Sequence, residues 1–250
     1  MNTPLLDYQA PADLLRDRII MVTGASDGIG RAMAEGFARF GATVILHGRD
    51  TDKLDAVYDG ILEAGGAEPA ILPLDFKTLN TDLAEQAHDW VQDTFGKLDG
   101  LLHNAALLGD RSPIESYKPH VWNDVMQVNL NAPFLLTHSL LPLLRLSDDA
   151  SIIFTSSSVG RKGRAYWGAY AVSKFGIEGL MQTLADELEN TSHVRVNSLN
   201  PGATNTAMRR TAYPGEHPDV NPLPETLLPA FLYLMGKDSK GVTGQALDVR

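Results

Sequence analysis

Seven short apolar runs, separated by longer stretches of helical period, limit what this chain can fold into. The runs are "RIIMVTG" (18–24), "ATVILHG" (42–48), "PAILPLD" (69–75), "LDGLLHN" (98–104), "ASIIFTSSS" (150–158), "VRVNSLNPG" (194–202) and "QALDV" (245–249). Helical patterns fill the gaps: up to about residue 40, from about 51, and near 80–95, 119–146, 169–190 and 224–235. The apolar runs are continuous rather than alternating, as a strand needs when helices cover both faces of its sheet. Repeated strand–helix alternation therefore predicts an α/β fold: a doubly wound, mostly parallel seven-stranded sheet with right-handed crossovers. The 250 residues suit a single domain, and no internal repeat or linker divides them. Residues 1–17 read as a surface arm and 18–250 as the domain. The polar, Pro/Gly-rich stretch 203–224 reads as a long loop of the kind that forms lids or binding loops.

The bulk chemistry excludes several classes. A formal charge of -10 argues against nucleic acid or an anionic membrane as the main partner, although it allows a local basic pocket. With no cysteine there is no disulfide, thiolate metal site or cysteine nucleophile. The seven histidines are scattered, without a His-x-x-x-His pair, so no metal site is expected. The start "MNTPLLDYQAPADLL" is not a signal peptide, and "FLLTHSLLPLLRL" is too short and too broken by His138 and Pro142 to span a membrane. A soluble, cytoplasmic protein is expected.

"TGASDGIG" (23–30) follows the first strand directly and opens the first helix. Gly24 permits a tight turn, Gly28 lets the backbone approach a ligand, and Gly30 lets helix pack on strand. The helix N-terminus then offers free N–H groups and a positive dipole end to a pyrophosphate. A glycine turn that merely packs helix on sheet is the competing reading. Farther on, "GAYAVSKFG" (168–176) sets Tyr170 four residues before Lys174, on one helix face. Tyr233 and Lys237 repeat that spacing, so spacing alone does not identify a reactive pair.

The glycine turn, with "HNAA" (103–106), "QVNLN" (127–131), "IIFTSSSVG" (152–160), "YAVSK" (170–174) and "NPGATNTAM" (200–208), resembles the short-chain dehydrogenase/reductase superfamily in order and spacing. The resemblance runs from about residue 18 to the C-terminus and implies a Rossmann fold. Within it, "FTSSSVGRKGRAYWGAYAVSK" is similar to a bacterial subgroup of oxidoreductases of unassigned substrate. The family's catalytic serine precedes the tyrosine by thirteen residues and a glycine by three, which selects Ser157 over Ser156 and Ser158. Its asparagine falls on Asn129. The resemblance thus implies a catalytic set of Asn129, Ser157, Tyr170 and Lys174, with Tyr233 a packing residue.

In the implied chemistry, a hydride passes between a nicotinamide and a carbonyl/alcohol carbon, and Tyr170 gives or takes the proton at oxygen. A free tyrosine has a pKa of about 10, and a neighbouring ammonium is expected to lower it. Lys174 is expected to hold the nicotinamide ribose, Ser157 the substrate oxygen, and Asn129 a proton-relaying water. Each residue has a plainer reading: Ser157 as a cap, Asn129 as the satisfier of a helix kink, Lys174 as a solvated charge. The resemblance implies further cofactor contacts at Ser26, Asp27 and Ile29 in the glycine turn and at Asp75, Phe76, Asn104 and Ala105. Pro201, Gly202, Thr204 and Thr206 complete them, with turn chemistry as the alternative for Asp75 and Thr206. Ala106 stands where the family usually has glycine, and the usual C-terminal glycines are missing, so that edge is expected to be built differently.

NADP(H) is expected to be preferred over NAD(H). Gly48 replaces the acid that would bond a free ribose 2′-hydroxyl, and Arg49 follows it to meet a 2′-phosphate. Asp27 weighs the other way, and Arg49 as a solvated charge is the alternative. Tyr166, Trp167 and Tyr213 suit an apolar substrate pocket or, equally, packing. A homodimer or homotetramer is expected, with the helices near 119–146 and 169–190 at an interface. The competing functions are a non-catalytic dinucleotide sensor and an epimerase or dehydratase of the extended relatives.

Overall fold

Strand β1 (Ile19–Thr23) shows why the apolar runs are unbroken. Ile20 and Val22 enter the core on one face of the sheet, while Met21 between them enters the core on the other. Strand β2 (Thr43–Gly48) does the same, with Val44 and Leu46 on the first face and Ile45 on the second. Successive side chains point to opposite faces, so a strand covered on both sides has no polar position to spare. The computed structural model describes residues 5–249.

The remaining strands are β3 (Ala70–Pro73), β4 (Gly100–His103), β5 (Ser151–Thr155), β6 (Arg195–Asn200) and β7 (Ala246–Asp248). They form one seven-stranded sheet in the order β3-β2-β1-β4-β5-β6-β7, parallel at every pairing. Helices α1 (Gly28–Arg39), α2 (Thr51–Glu63) and α8 (Leu228–Met235) pack on one face. Helices α3 (Thr81–Phe95), α5 (Ala132–Leu144) and α6 (Gly168–Leu188) pack on the other. The order reverses between β1 and β4, which leaves a crevice at the carboxyl ends of those strands.

Three expectations need correction. The long helix near 119–146 is α4 (Pro119–Met126) and α5 joined by a π-helical turn, Gln127–Asn131, which places Asn129 at the irregularity. The stretch 203–224 is not all loop: α7 (Ala207–Ala212) lies within it, started by Thr206, whose hydroxyl accepts from the Arg209 N–H at 3.1 Å. The expected surface arm is tied down. Leu14 and Leu15 are buried, and Tyr8 stacks edge-on to Tyr233 at 5.3 Å and donates to Asp238 at 2.7 Å. Residues 1–4 of that arm, and residue 250, lie outside the described residues. The C-terminal edge is held without glycines, by Asn200 donating to Asp248 at 2.7 Å and by Arg161 donating to the same carboxylate.

Two histidines sit in the core near the crevice. His47 lies tilted against Phe76 at 4.2 Å, and His103 stacks on Phe154 at 4.8 Å while its Nε2 meets the Thr137 hydroxyl at 2.8 Å. Among the described residues, neither ring nitrogen of His47 nor Nδ1 of His103 has a partner. Burial pushes His47 down to about 4 and His103 down to about 3, the latter helped by the nearby His47 and Lys174. Both are neutral in the fold, whereas in the unfolded chain each charges below about 6.5. Stability is therefore complete above that value and falls as pH drops through it toward about 4, by on the order of a few kcal/mol. Thermal unfolding followed across pH 7 to 4 should show this loss, and His47→Phe should remove part of it. An unchanged profile in that variant would count against the histidine origin.

Candidate active site

The crevice opens into a cleft of about 630 Å³ that runs from the β1–α1 turn to α7. Its floor is the glycine turn. Gly24 (φ 67°) and Gly28 (φ 55°) take left-handed backbone, and a Cβ on Gly24 would come within 2.9 Å of the Ala105 backbone. A Cβ on Gly30 would lie 2.0 Å from the Gly24 carbonyl, so that glycine packs helix against turn and does not border the cleft. Asp27 caps α1 by accepting from the Gly28 N–H at 2.7 Å. Ser26 and Ile29 border the cleft beside it. Across the switch point, the Thr23 hydroxyl accepts from the N–H groups of Asn104 and Ala105 at 2.9 and 3.1 Å, which locks the two strand ends together.

The far end of β2 brings Gly48 and Arg49 to the cleft wall, near Asp75 and Phe76. Arg49 is exposed and, among the described residues, makes no hydrogen bond or ion pair. The nearby acid Asp50 caps α2 and pairs with Lys53, and Asp75 accepts from the Lys77 N–H at 2.9 Å. Opposite them, Pro201, Gly202, Thr204 and Thr206 form the wall after β6. Thr206 is both wall and helix cap, so turn chemistry and cleft lining hold together there.

Ser157, Tyr170 and Lys174 meet in the middle of the cleft. Their approach depends on Gly160, where a Cβ would come within 2.8–2.9 Å of Lys174. The short turn after β5 can therefore lie directly on α6. Of the three serines, Ser156 donates to the buried Glu178 at 2.5 Å, while the Ser157 side chain reaches the Tyr170 phenol. Lys174 is only 4% exposed, so it is no solvated surface charge; its ammonium donates to the Thr155 carbonyl at 2.7 Å. Burial pushes Tyr170 up to about 12, with Ser157 opposing, and pushes Lys174 down to about 8, with Glu178 opposing. The expected lowering of the tyrosine is reversed: its own burial is the largest influence, and the opposing one comes from Ser157 and not from the lysine. Tyr233 and Lys237 lie away from the cleft, Tyr233 against the N-terminal arm.

Asn129 does not border the cleft. Its amide donates to the Leu107 carbonyl at 2.9 Å and to Ser173 at 3.0 Å, and its oxygen accepts from the Leu107 N–H at 2.7 Å. Both amide hydrogens are engaged in holding the wall after β4 against α6, so the side chain braces that wall.

One residue outside the sequence reading, Glu178, supports the site. Glu178 accepts from Ser156, from Ser198 at 2.7 Å and from Arg161 at 3.3 Å, tying β5, β6 and the turn after β5 together. Its position four residues after Lys174, on the Tyr170 face, was the available signal. Trp167 stands 5.7 Å from the Tyr170 ring and 6.0 Å from Tyr213, and both outer rings line the cleft. Tyr166, also expected there, is exposed; its left-handed backbone (φ 70°) makes the turn that precedes Trp167.

A dinucleotide-dependent oxidoreductase on the Rossmann fold is the class that this cleft and this sheet define. A family model described as short chain dehydrogenase matches residues 18–217. The oxidoreductase YciK of Escherichia coli (strain K12) is 52% identical over 245 residues, covering 98% of this chain and 96% of that protein. The structure of a short chain dehydrogenase from Pseudomonas syringae superposes with a TM-score of 0.96 at 54% identity, covering 98% of this chain and 99% of the other. A Shigella flexneri 2a short chain dehydrogenase complexed with NADP gives 0.93 at 52% identity, covering 96% and 99%. The chain belongs to the short chain dehydrogenase family, and is an NAD(P)-dependent enzyme acting on CH–OH and C=O groups.

Proposed function

We propose that the chain interconverts a carbonyl compound and its alcohol with NADP(H), using Tyr170 as general acid and base. The observation that carries this is the phenol itself: buried in the cleft, beside Ser157 and one helical turn from the buried Lys174. The nicotinamide supplies or receives the hydride. Ser157 donates to the substrate oxygen, where charge develops as the hydride arrives. Tyr170, held protonated near neutral pH by burial, gives its proton to that oxygen. Lys174 keeps donors for ribose hydroxyls beyond the one engaged at Thr155, and its charge favours the phenolate left behind. Asn129 positions the wall at Leu107. A non-catalytic sensor would have no use for this acid.

NADP(H) over NAD(H) rests on the charges at the β2 end. Among the described residues Arg49 is unpaired, Gly48 offers no carboxylate, and Asp27 and Asp50 are both engaged as helix caps. The NADP complex of the Shigella flexneri relative supports this reading. A homo-oligomer is supported by an apolar stripe on the outer face of α5 and α6, where Phe134, Val172 and Phe175 are 49%, 43% and 45% exposed.

Three outcomes follow. Tyr170→Phe should lower turnover at least roughly a hundredfold while cofactor still binds, and Tyr233→Phe should leave turnover nearly unchanged. Steady-state rates reversed between the two variants, or full activity in both, would reject the assignment, and a wild type that binds cofactor without turnover would favour the sensor. In titrations of the wild type, NADPH should bind more tightly than NADH, and Arg49→Ala and Gly48→Asp should weaken NADPH far more than NADH. Equal losses for both cofactors would refute the preference. Light scattering should show a dimer or tetramer that Phe134→Glu with Phe175→Glu dissociates; a monomeric wild type would end the oligomer proposal.

A further inference from the structure

Three guanidinium groups converge on one tyrosine at the end of the cleft beyond Tyr170. Arg209 lies over the Tyr213 ring at 3.8 Å and Arg111 at 5.1 Å, while Arg164 donates to the Tyr213 hydroxyl at 3.3 Å. Arg111 also covers Trp167 at 4.3 Å and donates to the Ala212 carbonyl at 2.7 Å. Aromatic faces attract such cations, but the cations repel one another. One carboxylate compensates them: Glu216 takes two N–H groups of Arg209, at 2.6 and 2.7 Å.

The other two charges are unanswered. Among the described residues, no acid pairs with Arg111 or Arg164. The acids that border the cleft are Asp27, Asp50 and Asp75, all toward the glycine-turn end. Scarcity of acids is not the reason, because the chain has 31 Asp and Glu against 21 Lys and Arg. The Trp167 indole N–H, buried in the same wall, also lacks an acceptor. Beside these charges the wall is apolar and flat-sided, with Trp167, Leu108, Val159, Met208 and Tyr213.

Resting on the oxidoreductase reading above, we infer that this end of the cleft binds an oxyanion carried by the substrate. The substrate class is then a carbonyl or alcohol compound with a flat apolar body and a carboxylate-like group remote from the reacting carbon. The body lies along Trp167 and Tyr213, and the oxyanion meets Arg164, whose planar fork matches two oxygens at once. An arriving anion also relieves the repulsion among the three guanidiniums. Arg164 is exposed, so water and salt weaken the attraction, and the preference should shrink as ionic strength rises.

The test uses the three carboxybenzaldehyde isomers and their methyl esters as probes, with NADPH oxidation followed at low salt. At least one acid should have a kcat/KM about tenfold above that of its ester, the range of a single charge-assisted hydrogen bond at a wet site. Arg164→Gln should erase that ratio. Arg210→Gln should not, because Arg210 bonds Asn205, just ahead of its own helix, and does not border the cleft. Calorimetric titration of the same acids and esters into the enzyme saturated with NADP+ reads binding without turnover. Acids and esters equal within twofold in both assays, or a preference that survives Arg164→Gln, would overturn the subsite. Acid-selective binding that Arg164→Gln removes, without turnover of any probe, would uphold the subsite and count against the oxidoreductase reading for this substrate class.

Discussion

The site depends on a buried ammonium. Lys174 lies in the first turns of α6 with almost no exposure, and desolvation is the largest influence on it. An isolated ammonium in that position would lose its proton, because moving the charge out of water costs several kcal/mol even after relaxation. The fold answers with the Thr155 carbonyl at 2.7 Å and with Glu178 one turn further along the helix. Glu178 is itself buried and is neutralised by Arg161, with hydroxyls from Ser156 and Ser198 on its oxygens. Arg161 then reaches the last strand through Asp248 and the Leu247 carbonyl. A single charge wanted in the cleft thus recruits β5, β6, β7 and α6 into one polar network.

That network also explains the geometry of Ser157. Its neighbour Ser156 is fixed by Glu178, and the turn that follows is pressed on α6 at Gly160. With the residue before and the turn after both held, Ser157 has little freedom other than to face Tyr170. Such support from surrounding residues is what keeps a reactive group within the narrow tolerance that chemistry requires.

Much of this was legible in the sequence, and the limits are physical. Continuous apolar runs reported a two-sided sheet because every position of β1 and β2 is packed. The glycine turn was legible because three glycines meet three different steric demands in seven residues, at Gly24, Gly28 and Gly30. Asn129 was found by position, but its task was not, since a side chain's partners across 22 or 44 residues of chain leave no local pattern. Helix α7 was hidden by the Pro and Gly around it, although Thr206 marked its start. The tyrosine pKa was misjudged for a related reason. Spacing places a cation near a phenol, whereas burial, which no spacing reports, is the largest influence on it.

The charges along the cleft show how an acidic chain can hold an anionic cofactor. A net charge of -10 would repel phosphates if it were spread evenly over the walls. It is not spread evenly. Asp27 and Asp50 are turned onto helix N-termini, where their negative charge meets the positive end of a dipole, and among the described residues no acid answers Arg49 beside them. At the opposite end Glu216 is turned onto Arg209 and away from Arg164. The acids near the cleft are thus engaged locally, and a guanidinium is left free of acid at each end of it. Between those ends lie the apolar ring faces and the neutral phenol, where hydride chemistry needs low dielectric and few competing charges. Recognition by charge is kept to the two extremities, and the reacting centre stays nearly uncharged apart from the lysine that the network was built to hold.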